Sequence, residues 1–297
     1  MPKYTGKNLV FIVGCPRSGT TWLQKLVASH PKVRTGEESH FFSQYVGPQV
    51  RFWNSHKVDL SPARAKHLVG PAAYFRDEEF QAILEGFLRA LLKPMVGSLR
   101  PDEIFVEKTP SHALYITEIK QLLPESRIIN IVRDPRAVVA SLLAAARTWG
   151  ADWAPSDPSI AAAIWVQHVE AARAAARKLS NSDFLEVKYE ELWKFPSDNL
   201  QHIARFLGLD WAEQSIHKAV TNNRADGNET TGTPIPVYGE VAARVGAVAT
   251  RPAYFVRKAQ TDSWRTDLSF AQKRTVWKVV RKTMADTGYG WCLRDWL

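Results

Sequence analysis

The sequence predicts an α/β fold, a three-layer sandwich with a mostly parallel central sheet flanked by helices. Three observations predict it. Short apolar runs of strand length alternate with segments of helical periodicity, the pattern of parallel strands joined by helical crossovers. The first run, residues 9–13, passes through Gly14 into a polar loop and then into a helical stretch, the arrangement that builds phosphate sites. The chain has 297 residues, 45% of them hydrophobic, enough for one large core.

Taken in order, residues 9–13 form a continuous apolar strand. Residues 18–29 read as a helix, opened by hydroxyl residues and closed by His30-Pro31. Residues 104–106 make a second strand, followed by Lys108-Thr109-Pro110 and a helix over about 111–123. Residues 127–132 are the third strand, and Pro135 opens the next helix, with apolar Val138, Val139, Leu142 and Leu143. An alanine-rich helix covers 160–179, a fourth strand 184–187, and a helix over 198–207 is stopped by Gly208. Between 46 and 100 the pattern is mainly helical. The stripe Phe80, Ile83, Leu84, Phe87 and Leu91 is expected to be core. From 222 to 250 the composition shifts to Gly, Thr, Pro and small residues, as in an irregular lid. The expectation is one domain over 1–297, with a helical insertion at about 46–100 and a lid at about 222–250.

Lys plus Arg number 39 and Asp plus Glu 30, a net charge of +9. That balance favours an anionic ligand. The basic residues are scattered, with no long Lys/Arg run and no nucleic-acid motif, so no nucleic-acid partner is expected. Two cysteines, Cys15 and Cys292, make neither a disulfide framework nor a metal-ligand cluster, and no metal is expected. The first residues show no signal peptide, and no apolar run reaches bilayer length. The expected location is the cytoplasm. Nothing in the pattern sets an oligomeric state.

Residues 14–22 read G-C-P-R-S-G-T-T-W. Gly14 and Gly19 let backbone N–H groups converge on an anion, and the helix beginning nearby adds partial positive charge. Ser18, Thr20 and Thr21 offer hydroxyl donors, and Arg17 a guanidinium fork for phosphate or sulfate oxygens. The glycines have the spacing of the nucleotide-triphosphatase loop, yet Thr20 stands where that loop carries its lysine. The loop is P-loop-like, built for a phosphate, and lacks the group that reaches a β- or γ-phosphate.

The segment R-S-G-T-T-W, from Arg17 to Trp22, resembles the 5′-phosphosulfate loop of sulfotransferases. Three further segments extend the resemblance in the same order along the chain. R-D-P-R-A-V-V-A-S, from Arg133 to Ser141, resembles the segment whose Arg and Ser bind the 3′-phosphate. K-Y-E-E-L, from Lys188, resembles the stretch whose tyrosine, here Tyr189, lies beside adenine, with Trp22 at another adenine-stacking position. Y-F-V-R-K-A-Q-T-D-S-W-R, from Tyr254 to Arg265, resembles the carboxyl-terminal cofactor segment. There Phe255 matches an aromatic on adenine, and Arg257 and Lys258 match the basic pair on the 3′-phosphate. Ala259 and Asp262 replace glycines of that pattern. The resemblance implies a 3′-phosphoadenosine 5′-phosphosulfate (PAPS)-dependent sulfotransferase whose product is adenosine 3′,5′-bisphosphate.

Sulfuryl transfer needs a base at the acceptor hydroxyl, in-line geometry, and positive charge at the leaving oxygen. Arg17 and Lys108 are the candidates for the charge. The E-K-T-P stretch around Lys108 resembles that of glycan sulfotransferases, where the lysine assists transfer. G-E-E-S-H-F-F, at 36–42, places Glu38 where the glycan and tyrosyl-protein branches carry their base. The histidine base of small-molecule members falls at Pro110 here, leaving Glu38 first, His112 second and His40 third. The acceptor is a hydroxyl compound, a small molecule, lipid or glycan. The competing expectations are a P-loop-like kinase, against which the absent loop lysine argues, and a non-catalytic anion- or nucleotide-binding protein, against which Glu38 and Lys108 argue.

Overall fold

The computed structural model describes residues 4–57, 74–223, 234–235, 249–250 and 261–292. Its centre is a five-stranded sheet in the order β2-β3-β1-β4-β5, every neighbour parallel: β1 (Leu9–Gly14), β2 (Val33–Thr35), β3 (Ile104–Lys108), β4 (Arg127–Val132) and β5 (Phe184–Lys188). All six residues of β1 are buried, which is why this strand is a continuous apolar run rather than an alternating one. Four strands follow the expectation. The fifth, β2, has only three residues, V-R-T, too few for any period to show.

Alternate residues of β1 serve opposite layers. Val10 and Ile12 pack with α1 (Thr20–Ala28) and, from farther along, Leu192, Leu200, Ile203 and Leu207. Leu9, Phe11 and Val13 pack on the other side with Phe42, Val46, Leu84, Leu88 and Ile119. Those residues come from the segment after β2, α2 (Val46–Lys57), α3 (Asp77–Val96) and α4 (Ile116–Leu122). A third cluster joins α5 (Pro135–Ala146) and α6 (Pro158–Ala176) to Val276, Val280 and Met284. The chain then runs through α7 (Tyr189–Lys194), α8 (Pro196–Leu207) and α9 (Glu213–Asn222), the two-stranded pair β6 (Pro234–Ile235) and β7 (Ala249–Thr250), α10 (Trp264–Asp267) and α11 (Phe270–Asp286). Among the described residues no helix is long and apolar enough to cross a membrane.

Two helical expectations change. The helix predicted over 111–123 is a 3₁₀ turn, Pro110–Tyr115, followed by the seven-residue α4. In α3 the buried row is Leu84, Leu88 and Leu92, while Ile83 and Phe87 are exposed. One i, i+4 ridge faces the core, so the broader stripe read as core is only half buried. Phe80 leaves the stripe to stack on Trp53 with ring centroids 4.1 Å apart. Of the expected lid at 222–250, only 222–223 and the short pair β6 and β7 are described; the rest of it and part of the 46–100 insertion lie outside the described residues.

Candidate active site

Because the five strands are parallel, their carboxyl ends share one edge, where ligands bind in open α/β sheets. Each strand brings one expected site element there. The glycine loop follows β1, and the segment bearing Glu38 follows β2. Lys108 is the last residue of β3, Arg133 follows β4, and Tyr189 opens α7 directly after β5. The strand order sets β1 between β3 and β4, so the loop has Lys108 on one side and Arg133 on the other.

The loop geometry explains its glycines. Gly14 has φ +154°, and a Cβ there would lie 2.5 Å from the Ile131 carbonyl oxygen. Gly19 has φ +95°, and a Cβ would meet the Tyr189 ring at 2.5 Å. Arg17 also adopts a left-handed backbone, φ +72°, so the helix begins at Thr20 rather than at Ser18. Thr20 is buried and Thr21 half-buried. Ser18 is fully buried, and among the described residues its hydroxyl has no hydrogen-bond partner. A buried orphan hydroxyl costs free energy unless something polar meets it. Beside the amino terminus of a nine-residue helix, that something suits an anion.

A second set of contacts ties this loop to the segment after β4. Arg17 donates from Nε to Ser141 Oγ at 3.0 Å, and Arg133 donates from Nη1 to the Arg17 carbonyl at 3.2 Å. The Arg133 guanidinium lies over the Tyr189 ring, 4.1 Å from its centroid, and Trp22 meets the same ring edge-on at 5.7 Å. Trp165 Nε1 donates to the Arg133 carbonyl at 2.9 Å. Arg17, Ser18, Gly19, Thr20, Thr21, Trp22, Arg133, Ser141 and Tyr189 therefore form one continuous surface, basic at its middle and aromatic at one end. Those residues fit a nucleotide carrying two separated phosphates. Phe255, Arg257 and Lys258 lie outside the described residues. Trp264, next in that segment, is buried beneath the Arg136 guanidinium, 4.1 Å from its ring.

On the acceptor side, Glu38 and Lys108 form a short ion pair. Lys108 is 4% exposed and Glu38 34%. The second Glu38 oxygen lies 3.5 Å from His40 Nε2. Burial, the strongest influence on Glu38, pushes its carboxyl up, but the His40 hydrogen bond and the Lys108 ammonium outweigh it and hold the group at about 2. Glu38 is thus ionised and flanked by the Lys108 ammonium and the His40 imidazole.

His112, a candidate base from the sequence, takes another position. It is fully buried. Its Nδ1 meets Glu107 Oε2 at 2.9 Å, and the Phe42 N–H donates to its Nε2 at 3.1 Å. A ring nitrogen that accepts carries no proton, so Nδ1–H is the donor to Glu107. Both nitrogens are engaged, because the ring is clamped between β3 and the chain after β2. The sequence reasoning passed over Glu107. This buried carboxylate also accepts from Ser39 N, Ser39 Oγ and Thr109 Oγ1, at 3.1, 2.7 and 2.5 Å. It grips the neighbours of both Glu38 and Lys108. The available signal was a glutamate within an otherwise apolar strand, which has to find partners. Trp149, under the Arg17 guanidinium at 5.4 Å and 5.4 Å from Trp153, was also missed, hidden among eleven tryptophans.

Comparison with known proteins identifies the family. A model described as the Sulfotransferase family matches residues 9–213. Protein-tyrosine sulfotransferase 2 of Gallus gallus is 26% identical over 211 residues, 70% of this chain and 53% of its own. Protein-tyrosine sulfotransferase 1 of Danio rerio is 26% identical over 221 residues, 74% of this chain and 58% of its own. The chain thus spans somewhat over half the length of these curated relatives. Among solved structures, the sulfotransferase domain of the Synechococcus PCC 7002 olefin synthase is similar with a TM-score of 0.58 and 20% identity, covering 98% of both chains. Mouse sulfotransferase SULT7A1, complexed with PAP, is similar with a TM-score of 0.58 and 16% identity, covering 96% of this chain and 88% of its own. These last two likenesses concern the fold. With its parallel sheet, its glycine loop and the match over residues 9–213, the chain belongs to the sulfotransferase family.

Proposed function

We propose that the chain transfers a sulfuryl group from 3′-phosphoadenosine 5′-phosphosulfate to a phenolic or tyrosyl hydroxyl, with Glu38 as general base and Arg17 and Lys108 stabilising the leaving oxygen. The observation that carries this is the Glu38–Lys108 ion pair at the sheet edge, one strand over from a phosphate loop with an orphaned buried hydroxyl. The donor, when bound, supplies the sulfuryl group and a phosphate leaving group.

The loop N–H groups, Ser18, Thr20 and Thr21 hold the 5′ end, with Arg17 toward the transferred group. Arg133 and Ser141 hold the 3′-phosphate, supplemented by Arg257 and Lys258. Trp22 and Phe255 are assigned to adenine, with Tyr189, its ring face covered by Arg133, beside them. Glu38 accepts the acceptor's proton as its oxygen attacks. As negative charge shifts toward the leaving oxygen, the Lys108 ammonium trades its contact with Glu38 for that oxygen. His112 belongs to this site as a positioning residue. The relatives' names, which specify protein tyrosine, and the Trp149–Trp153 pair beside Arg17 support an aromatic acceptor over an aliphatic one. Cytoplasmic placement is part of the same proposal, supported by a composition of only two cysteines in 297 residues, too few for the disulfide framework common in oxidising compartments.

The test is transfer of ³⁵S from labelled donor to tyrosyl peptides and simple phenols, compared with glycans and aliphatic lipid alcohols. Labelled product is expected with the phenolic set. Glu38→Gln keeps the shape and removes basicity, so turnover should fall by roughly 10²–10⁴-fold with adenosine 3′,5′-bisphosphate affinity unchanged. Nearly full activity in that variant would remove Glu38 from the role.

A further inference from the structure

Glu38 alone is a poor match for its task. A carboxylate held at about 2 has little driving force for taking a hydroxyl proton near neutrality. The neighbouring His40 resolves this. Its backbone is left-handed, φ +53°, which turns the side chain back toward Glu38 two residues earlier. The imidazole is pinned on both sides. Nδ1 lies 3.1 Å from Ser43 Oγ, and Nε2 lies 3.5 Å from Glu38 Oε2. The Ser43 hydroxyl spends its one hydrogen on the His40 carbonyl at 3.3 Å. With that hydrogen on the carbonyl, Ser43 accepts from His40 and Nδ1 is the protonated nitrogen, the tautomer on which the pairing with Glu38 rests. That leaves Nε2 facing a carboxylate oxygen, a contact that is attractive only when a proton lies between them.

We propose that Glu38 and His40 act as one base, sharing a single proton between Glu38 Oε2 and His40 Nε2, and that this proton must leave before the pair can take one from the acceptor. The inference rests on Glu38 being the group that meets the acceptor hydroxyl. In the resting pair the proton sits on Nε2 and Glu38 is anionic. Loss of that proton to solvent, which the 37% exposed His40 ring meets directly, leaves a neutral imidazole with its lone pair on Glu38. The acceptor oxygen then forms its bond to sulfur as its proton passes to Glu38 and on to Nε2. The electron pair of the breaking S–O bond stays on the leaving oxygen. The proton count closes, and the pair is back in its resting state.

Titration of such a pair belongs to both members. Among the described residues, the charged groups acting on His40 are Glu38, Glu107 and Lys108. The Glu38 hydrogen bond is the strongest influence and raises the imidazole above its usual 6.5. Burial lowers it, the charges of Glu38 and Glu107 raise it, and Lys108 lowers it. The pair's proton is thus lost above pH 6.5, and turnover should climb through that region. Tyrosyl hydroxyls ionise near pH 10, outside the window.

The experiment follows the His40 imidazole by NMR through a pH titration with adenosine 3′,5′-bisphosphate bound, alongside the pH profile of kcat with a tyrosyl peptide. Wild-type His40 should titrate above 6.5 and coincide with the acid limb of kcat. In Glu38→Gln its titration should fall toward 6.5. His40→Asn is the matching variant, because Asn tolerates the left-handed backbone. There the acid limb should move at least one pH unit lower and the plateau kcat drop about 10- to 100-fold, with bisphosphate affinity unchanged. A His40→Asn profile superimposable on wild type, or a His40 titration indifferent to Glu38→Gln, overturns the pair. If Glu38→Gln keeps full turnover, the failure is instead that of Glu38 as base.

Discussion

Arg17 and Ser141, 124 positions apart in the chain, are joined by a hydrogen bond from the guanidinium Nε to the serine hydroxyl at 3.0 Å. One residue belongs to the loop for the 5′ end of the donor and the other to the helix for its 3′-phosphate. Ser141 is buried, and its hydroxyl, which accepts from Arg17, keeps its own hydrogen to donate to a phosphate oxygen. Ser141→Ala should weaken adenosine 3′,5′-bisphosphate by about 1.5–3 kcal/mol, the worth of a hydrogen bond to a charged group. Adenosine 5′-phosphate, which lacks the 3′ group, should lose much less. Calorimetry with both nucleotides decides it, and equal losses would mean that Ser141 acts only through Arg17.

Arg133 is held on its face as well as its edge. Its guanidinium lies 4.1 Å over Tyr189 and donates to the loop at the Arg17 carbonyl. Arg133→Ala should cost on the order of 2–5 kcal/mol of bisphosphate affinity, as when one partner of a buried charge pair is removed. Arg133→Lys keeps the charge but neither the fork nor the flat face, and should recover only part of the loss. Binding should persist in the presence of a chelator. A requirement for Mg²⁺ would favour a nucleotide phosphotransferase instead.

Gly19, like Gly14, is a tight point of the site. A Cβ there would stand 2.5 Å from the Tyr189 ring with φ at +95°. Gly19→Ala should therefore displace either the loop or Tyr189, and strain of this kind costs about 1–3 kcal/mol. Nucleotide affinity should fall with it, and Tyr189→Ala in the same chain should restore part of the stability. If stability is unchanged in Gly19→Ala, the close approach is absent in solution.

Much of this was legible in the sequence because the site lies where strands end. The apolar run before Gly14, and Arg133 directly after a second run, placed both phosphate elements at one sheet edge before any coordinates. β2 was not legible, since three residues carry no period. Nor was the left-handed backbone at Arg17 and His40, where side chains that favour no special turn are held by tertiary contacts. The stripe on α3 misled because periodicity reports which side of a helix is apolar. It does not report how much of that side a neighbour covers, and Ile83 and Phe87 stay in solvent. His112 was weighed as a base because it lies two residues beyond Pro110, where small-molecule sulfotransferases carry their histidine. Only its partners Glu107 and Phe42 identify it as a clamp.

Glu107 offers a prediction that joins stability to catalysis. Its carboxylate is buried and accepts from Ser39, Thr109 and His112. Burial, the largest influence, pushes the carboxyl up, but His112 and the hydroxyls of Thr109 and Ser39 outweigh it and hold the group below its usual value. A carboxyl lowered by folding stabilises the native state above its unfolded value of about 4.3, and the contribution is lost as pH falls through the folded value. Glu107→Gln replaces one acceptor oxygen with a donor that faces other donors. It should cost about 2–4 kcal/mol at pH 7, between the loss of a charged hydrogen bond and the breaking of a buried pair. The deficit should narrow as pH falls below the unfolded value of about 4.3, because the unfolded chain then takes up a proton that the native carboxylate resists. Urea unfolding at pH 7 and in that acid range measures both. Glu107 also fixes Ser39, beside Glu38, and Thr109, beside Lys108, so the variant should lower kcat more than tenfold while bisphosphate affinity stays within about twofold. A destabilised variant with wild-type kcat would make Glu107 a purely structural anchor, and a deficit that does not shrink in acid would show that its charge is not what the three donors hold.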